Sequence, residues 1–297
     1  MLLGTALLGL AAGVVGVFAV LRRRALVGDA IAHAALPGVC ISFLVVGDRN
    51  LAALLLGALV FGGLAVLFIT LVKSRTRIKE DAAIALVIGG FFGLGIVLSR
   101  IIQNLPPTWT APLGQPGSGT GGRSGLDAFI FGKAASMVAA DARLIGAVAV
   151  LSLMLVFVLY KELKVLCFDR DFAAGQGWPV LALDLLIMAL VCICTVVGLP
   201  AVGVVLMVSL LVIPAAAARL WSDRLGTVLV VAGLLGAASG LIGTALSATL
   251  PAPAGSLSRG WPTGPLITLT AAAFFAVSFA ARRFRDAFGT TTGGGAP

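Results

Sequence analysis

Runs of about twenty apolar residues recur from end to end of this chain, each long enough to cross the roughly 30 Å hydrocarbon core of a bilayer. Nine are read in the 297 residues, at 2–20, 28–46, 51–72, 82–103, 141–160, 180–198, 201–220, 227–249 and 265–281. Hydrophobic residues make up 60% of the chain and charged residues only 11%, whereas a soluble domain carries about 25% charged residues. A backbone in lipid must satisfy its own hydrogen bonds, and a helix does so within one segment. The expected fold is all-α, a polytopic membrane bundle of nine segments. No cleavable leader is expected, because Arg22, Arg23 and Arg24 follow the first apolar run instead of preceding it.

A net charge of +9 would suit a nucleic-acid partner if the charge were gathered on one surface, but its distribution along the chain points to topology. Alternate connections hold fifteen of the twenty-one basic residues: Arg22, Arg23 and Arg24; Lys73, Arg75, Arg77 and Lys79; Lys161, Lys164 and Arg170; Arg219 and Arg224; Arg282, Arg283 and Arg285. Basic connections stay on the cytoplasmic side, which places the N-terminus outside and the C-terminus in the cytoplasm. The four cysteines, Cys40, Cys167, Cys192 and Cys194, form no disulfide framework, and three lie in apolar segments as small apolar residues.

Residues 1–285 read as one membrane domain, followed by a low-complexity cytoplasmic tail at 286–297 that is expected to be disordered. The longest outer connection, 104–126, is rich in Pro, Gly and Ser and reads as an irregular loop. The stretch GLDAFIFGKAASM after it is apolar but too short to span, as in a re-entrant or interfacial piece. The inner connection 161–180 has charged flanks, a short helix around Asp171–Ala174 and a Gly-Trp-Pro stop. Glycines at four-residue spacing, Gly9/Gly13 and Gly236/Gly240, let helices approach closely.

The stretch GDAIAHAALPG, 28–38, carries the only histidine, His33, four residues after Asp29. A carboxylate at the centre of a membrane helix costs about 2.5–3.5 kcal/mol on insertion scales, so it usually faces a cavity or a partner. Spacing of i, i+4 puts both groups on one helix face, and an oxygen beside an imidazole nitrogen suits a divalent first-row metal. From spacing alone the pair reads equally well as a helix N-cap at Asp29 beside a structural imidazole. Pro37 and Gly38 are expected to break the backbone ladder beyond the pair, as happens where a helix lines a cavity. Asp184 reads as reaching the interface, and Glu80 and Asp81 as acidic residues in the first turn of a helix. Pro200, Gly203, Ser209 and Pro214 interrupt another apolar stretch and suit either a pathway helix or a packing kink. No phosphate-binding loop and no hydrolase triad is found.

LRRRALVGDAIAHAALPGV, RIKEDAAIALV, GLDAFIFGKAASM, KELKVLCFDRDFAAGQGWPV, GLPAVGVVLMVSLLVIPAAAARLW and PTGPLI occur in that order between about residues 9 and 281. Together they resemble the motifs of the membrane permease subunits of manganese/zinc/iron ABC importers. The resemblance implies a non-enzymatic subunit of the bacterial cytoplasmic membrane, working as a dimer of identical or paralogous permeases. It also implies a cytoplasmic ABC ATPase dimer and an extracytoplasmic metal-binding protein as partners. The metal ion is then cargo, manganese first and zinc or iron after it, with no resident cofactor. Asp29 and His33 fall on the family's metal-path motif, and Cys167, Phe168, Asp169, Arg170, Asp171, Phe172, Ala173 and Ala174 on the segment that couples to the ATPase.

An ion-coupled secondary metal transporter would need no ATPase, and a siderophore or vitamin ABC permease would need no ligand pair. The charge asymmetry makes its own prediction. A reporter fused after Phe284 is expected to be cytoplasmic and one inserted at Gly119 extracytoplasmic; finding both on one side would break the nine-segment reading.

Overall fold

The computed structural model describes residues 2–47, 50–104, 139–250 and 263–289. Eleven helices are found there: α1 Leu2–Leu21, α2 Ala25–Val46, α3 Leu51–Arg75, α4 Glu80–Gln103, α5 Ala139–Val158, α6 Tyr160–Phe168, α7 Arg170–Gly175, α8 Val180–Val202, α9 Val204–Arg219, α10 Leu225–Thr249 and α11 Thr263–Gly289. No strand occurs among the described residues. The apolar runs thus become helices, as the need to satisfy the backbone in lipid requires, and the chain is a multi-pass membrane protein.

Seven helices (α1, α2, α3, α4, α8, α10 and α11) are long and apolar enough to span, and an eighth span is made if α5 and α6 are taken together across their 69° bend. The remaining expected segment, 201–220, forms a helix shorter than its apolar run. Its helix, α9, has 16 residues and so reaches about 24 Å. Gly203 sets that limit: its φ of 92° ends α8 and starts α9 at a corner only glycine occupies without strain. The re-entrant stretch GLDAFIFGKAASM lies outside the described residues, as does loop 104–126 apart from Asn104. At the other end the last helix runs to Gly289.

Between lipid-embedded helices there is no hydrophobic force, so contact depends on close approach of backbones. Helix α1 lies at the centre, with buried residues along most of its length. A Cβ on Gly9 would overlap the carbonyl of Gly236, one on Gly13 the carbonyl of Ala232, and one on Gly240 the carbonyl of Thr5. The two glycine pairs singled out in the sequence are therefore two sides of one antiparallel contact, α1 against α10. Hydroxyls fasten its end, with Thr244 Oγ1 3.1 Å from Thr5 Oγ1. A second close contact joins α2 and α3, where Gly38 and Gly57 each lie against the other's backbone and Ser42 Oγ donates to the Ala53 carbonyl at 2.6 Å.

Pro37 does not break α2. The helix is continuous from Ala25 to Val46 with Pro37 inside it, and Gly38 serves the contact with Gly57. The loss of one N–H is absorbed without ending the ladder. The irregular turn lies instead on the facing helix, where residues Ile88–Phe92 of α4 form a π-helical turn.

The basic connections gather at one end of the bundle. Arg24, after α1, pairs with Glu80 at the start of α4, Arg22 reaches the Leu166 carbonyl in α6, and Arg285 of α11 reaches the Leu220 carbonyl after α9. Trp221 is fixed there by a hydrogen bond to Ser278 and by the Arg285 guanidinium over its ring at 5.6 Å.

The close contacts make a discriminating prediction. Gly236→Leu places a side chain into the α1 backbone, and such overpacking costs about 1–3 kcal/mol or more. The variant is expected to lose folded, monodisperse protein in detergent. Gly89→Leu, where nothing lies within 4 Å of the added Cβ, is expected to purify normally. Equal yields from both would refute the packing assignment.

Candidate functional site

Helix α2 is buried on nearly every side. From Val27 to Cys40 every residue is buried except Asp29 and His33. These two sit one turn apart on one face, with His33 Nε2 3.4 Å from Asp29 Oδ1 and side-chain exposures of 21% and 33%. The one opening along fourteen residues of this helix is thus lined by its only carboxylate and the chain's only imidazole.

Asp29 does not cap the helix. The helix begins at Ala25, with Arg24 in the cap position, so Asp29 falls in the second turn. This removes the capping alternative and leaves its carboxylate directed along the helix toward His33. The imidazole is held from the other side by Phe92, whose ring meets it edge-on at 4.8 Å and 76°. Phe92 reaches it from the π-helical turn of α4, and turns of this kind occur often at functional sites. A second aromatic contact, Phe61 to Phe91, braces the same turn against α3. Nδ1 of His33 is buried and has no hydrogen-bond partner. Oxygen and nitrogen donors on the pair can bind a divalent cation. Among the described residues no group of three or more His, Cys, Asp or Glu side chains comes together. One chain therefore offers two ligands here, too few for a closed cage of four.

Asp184 departs from its sequence reading. Its side chain is not open to solvent but lies buried at 5% exposure, with Oδ1 2.7 Å from Arg22 Nη2 and Oδ2 3.0 Å from Arg24 Nη1. A buried carboxylate requires such partners. Arg24 Nε reaches Glu80 Oε1 at 3.0 Å, and Glu80 also pairs with Lys73. Scarcity of carboxylates in the sequence marked Asp184 and Glu80 but gave no sign that two arginines of a topology-setting turn would be drawn onto them.

Beside this cluster, residues 166–175 comprise the end of α6 and the short helix α7. Asp169 Oδ1 accepts from the Phe172 amide at 2.9 Å and caps α7; Trp178 N closes its far end on the Ala173 carbonyl at 3.1 Å. Phe168 and Phe172 are exposed at 62% and 53%. Arg170, Asp171 and Ala174 are exposed with them, while Ala173 is buried and Cys167 half-buried. The segment thus divides into an outward face with two aromatic rings and an inward side that packs on the bundle.

Pro200 and Gly203 build the α8–α9 corner, and Pro214 sits buried inside α9. Ser209 is half-buried on α9, which packs against α2 and α1.

The comparisons with known proteins agree over nearly the whole chain. A family model described as the ABC 3 transport family matches residues 1–282. A manganese transport system membrane protein of Bacillus subtilis is 43% identical over 93% of this chain, which spans 59% of that relative's length. A zinc transport system membrane protein of Treponema pallidum is 41% identical over 90% of this chain and 83% of its own. The solved structure of PsaBC from Streptococcus pneumoniae in complex with a Fab superposes with a TM-score of 0.77 at 30% identity, covering 96% of this chain and 92% of that one. With its match across 282 residues and at least 90% of its own length aligned to each of these membrane proteins, this chain belongs to the ABC 3 transport family.

Proposed function

We propose that the protein is the membrane permease subunit of an ATP-driven importer of divalent transition-metal ions, with manganese the first cargo and zinc or iron the alternatives. It works as a dimer of permeases in the bacterial cytoplasmic membrane, with nine crossings, N-terminus outside and C-terminus inside. An extracytoplasmic binding protein delivers the ion, and a separate cytoplasmic ATPase dimer hydrolyses ATP. The observation that carries this reading is the α2 opening, where two metal-competent side chains are the only residues between Val27 and Cys40 that are not buried. The names of its relatives, manganese and zinc transport proteins, support the same cargo class.

Asp29 and His33 form a transient coordination point for the ion. Transit requires a site that replaces hydration yet releases its cargo. Two ligands per chain, completed by water or by the second permease, meet that requirement. The carboxylate supplies charge, the imidazole supplies nitrogen, and Phe92 restrains the ring. Phe168, Arg170, Asp171, Phe172 and Ala174 form the face that docks on the ATPase; Asp169 caps the docking helix, and Cys167 and Ala173 seat it against the bundle. The α8–α9 corner at Pro200 and Gly203, continuing through Ser209 and Pro214, supports the pathway by packing α9 on α2.

Asp29→Asn keeps size and an oxygen but removes charge, and His33→Ala removes the nitrogen. Since loss of even an outer-shell partner costs a metal site about 10–100-fold, each variant is expected to lower uptake per assembled complex by at least that much in reconstituted vesicles. Near-normal uptake by both would end the metal-path reading.

The docking face generates a separate expectation. Phe168→Ala combined with Phe172→Ala removes two exposed rings and leaves the buried contacts in place. The double variant is expected to insert and fold but to co-purify poorly with the ATPase. Undiminished co-purification and uptake would remove the coupling role.

A further inference from the structure

The ion-pair cluster joins the α1–α2 turn to helices α3, α4, α6 and α8. Arg22 donates from Nη1 to the Leu166 carbonyl at 3.0 Å and from Nη2 to Asp184 Oδ1 at 2.7 Å. One planar guanidinium thus spans α6 and α8. The Leu166 carbonyl lies in the last turn of α6, where backbone acceptors have no partner within the helix and carry partial negative charge. Leu166 also lies three residues before the Asp169 cap of α7.

Two residues after Arg22, Arg24 occupies the cap position of α2. It shares Asp184 with Arg22 and extends to Glu80 on α4. Arg23 between them has φ 57° and is exposed. That uncommon conformation turns the chain sharply, so that both neighbouring arginines point inward onto one carboxylate. Asp29 follows Arg24 by five residues, about 7.5 Å along a helix, and α2 runs unbroken through His33 and Pro37. α4, tied by Glu80, carries the Phe92 that touches His33.

We infer that Arg22 is a positioning residue for transport, whose forked contact with Leu166 and Asp184 passes displacement of α6–α7 to the helix bearing Asp29 and His33. A buried ion pair is poor at adding stability, since well-packed apolar residues often do as well. Its distinct property here is connection: the α1–α2 turn and helices α3, α4, α6 and α8 meet through four side-chain contacts and one backbone contact. The inference rests on the reading of α7 as the ATPase-facing helix.

Arg22→Lys is the informative variant. It keeps the positive charge beside Asp184, but an ammonium lacks the rigid fork that holds two acceptors at fixed positions. The complete complex, purified with its ATPase, is reconstituted in vesicles, and Mn2+ uptake and phosphate release are measured on the same sample. Residues that carry coupling change it by about two- to thirtyfold; Arg22→Lys is expected to cut Mn2+ transported per ATP at least fivefold while hydrolysis stays within twofold. Arg23→Gly, at an exposed position where the backbone suits glycine, is the control and is expected to match the parent. If Arg22→Lys assembles poorly, Arg22→Met with Asp184→Asn removes fork and charge together, and the same loss is expected.

A transport-to-hydrolysis ratio within twofold of the parent overturns the inference. So does a parallel fall of uptake and hydrolysis, or failure of both variants to assemble, each of which assigns Arg22 to folding alone. The Phe168→Ala/Phe172→Ala variant, tested for co-purification with the ATPase, separates the two readings. If it loses the ATPase and Arg22→Lys does not uncouple, the relay fails and the docking face stands; if it keeps the ATPase and transports normally, the reading of α7 itself falls.

Discussion

Close approach of helix backbones is the constraint on which this bundle depends. Water drives apolar faces together in a soluble protein, but lipid tails are as apolar as leucine and give no such force. The chain answers with glycine on both sides of its central contact. Gly9 and Gly13 on α1 meet Gly236 and Ala232 on α10, and Gly16 meets the Leu211 carbonyl on α9. Helix α1 is thereby locked against α9 and α10, and the turn that ends it carries Arg22 and Arg24. The position of the ion-pair cluster thus follows from glycine packing six to fifteen residues earlier in the chain.

Two sets of charges sit in this apolar protein, and they are treated in opposite ways. Asp184 is saturated by two guanidinium groups and almost fully buried, which is the condition for a carboxylate to stay charged away from water. Asp29 has only its neighbour His33 at 3.4 Å and keeps a third of its side-chain surface open. If both were structural, the difference would serve nothing. A saturated carboxylate has no capacity left for a cation, whereas one left open beside an imidazole retains it. This contrast weighs for Asp29 and against Asp184 as the cargo ligand.

Much of this was legible in the sequence because scarcity makes signals strong. The apolar runs gave the helices, and one histidine four residues from a carboxylate gave the pair. The GxxxG-type spacings gave close packing, although only the structure placed the two pairs against each other. What stayed hidden depends on contacts across the fold. The partners of Asp184 lie 160 and 162 positions earlier, at Arg24 and Arg22, and charge counting had assigned both arginines to topology alone. The π-helical turn at Ile88–Phe92 has no sequence mark beyond its glycines. Pro37 misled for a physical reason: proline weakens a helix locally, but α2 continues through it where Gly38 packs against Gly57 of α3. Conversely Gly203, without any cluster of breakers after it, ends α8 because of its φ.

The small ligand set also bears on selectivity. A carboxylate oxygen and an imidazole nitrogen bind manganese, iron and zinc with affinities that rise along the Irving–Williams order, so the pair by itself favours zinc over manganese. The proposed preference for manganese therefore has to arise elsewhere: in which ion is delivered, or in how readily each is released. Two ligands per chain act on release. The fewer bonds the protein makes, the smaller the affinity gap between zinc and manganese, and the less a tightly binding ion blocks the path. In the proposed transport cycle, a permease that took most of its selectivity from its own ligands would hold zinc longest and move it slowest. Under that proposal an open pair on a continuous helix, touched by Phe92 but not enclosed, would avoid that outcome and leave discrimination to the delivery step.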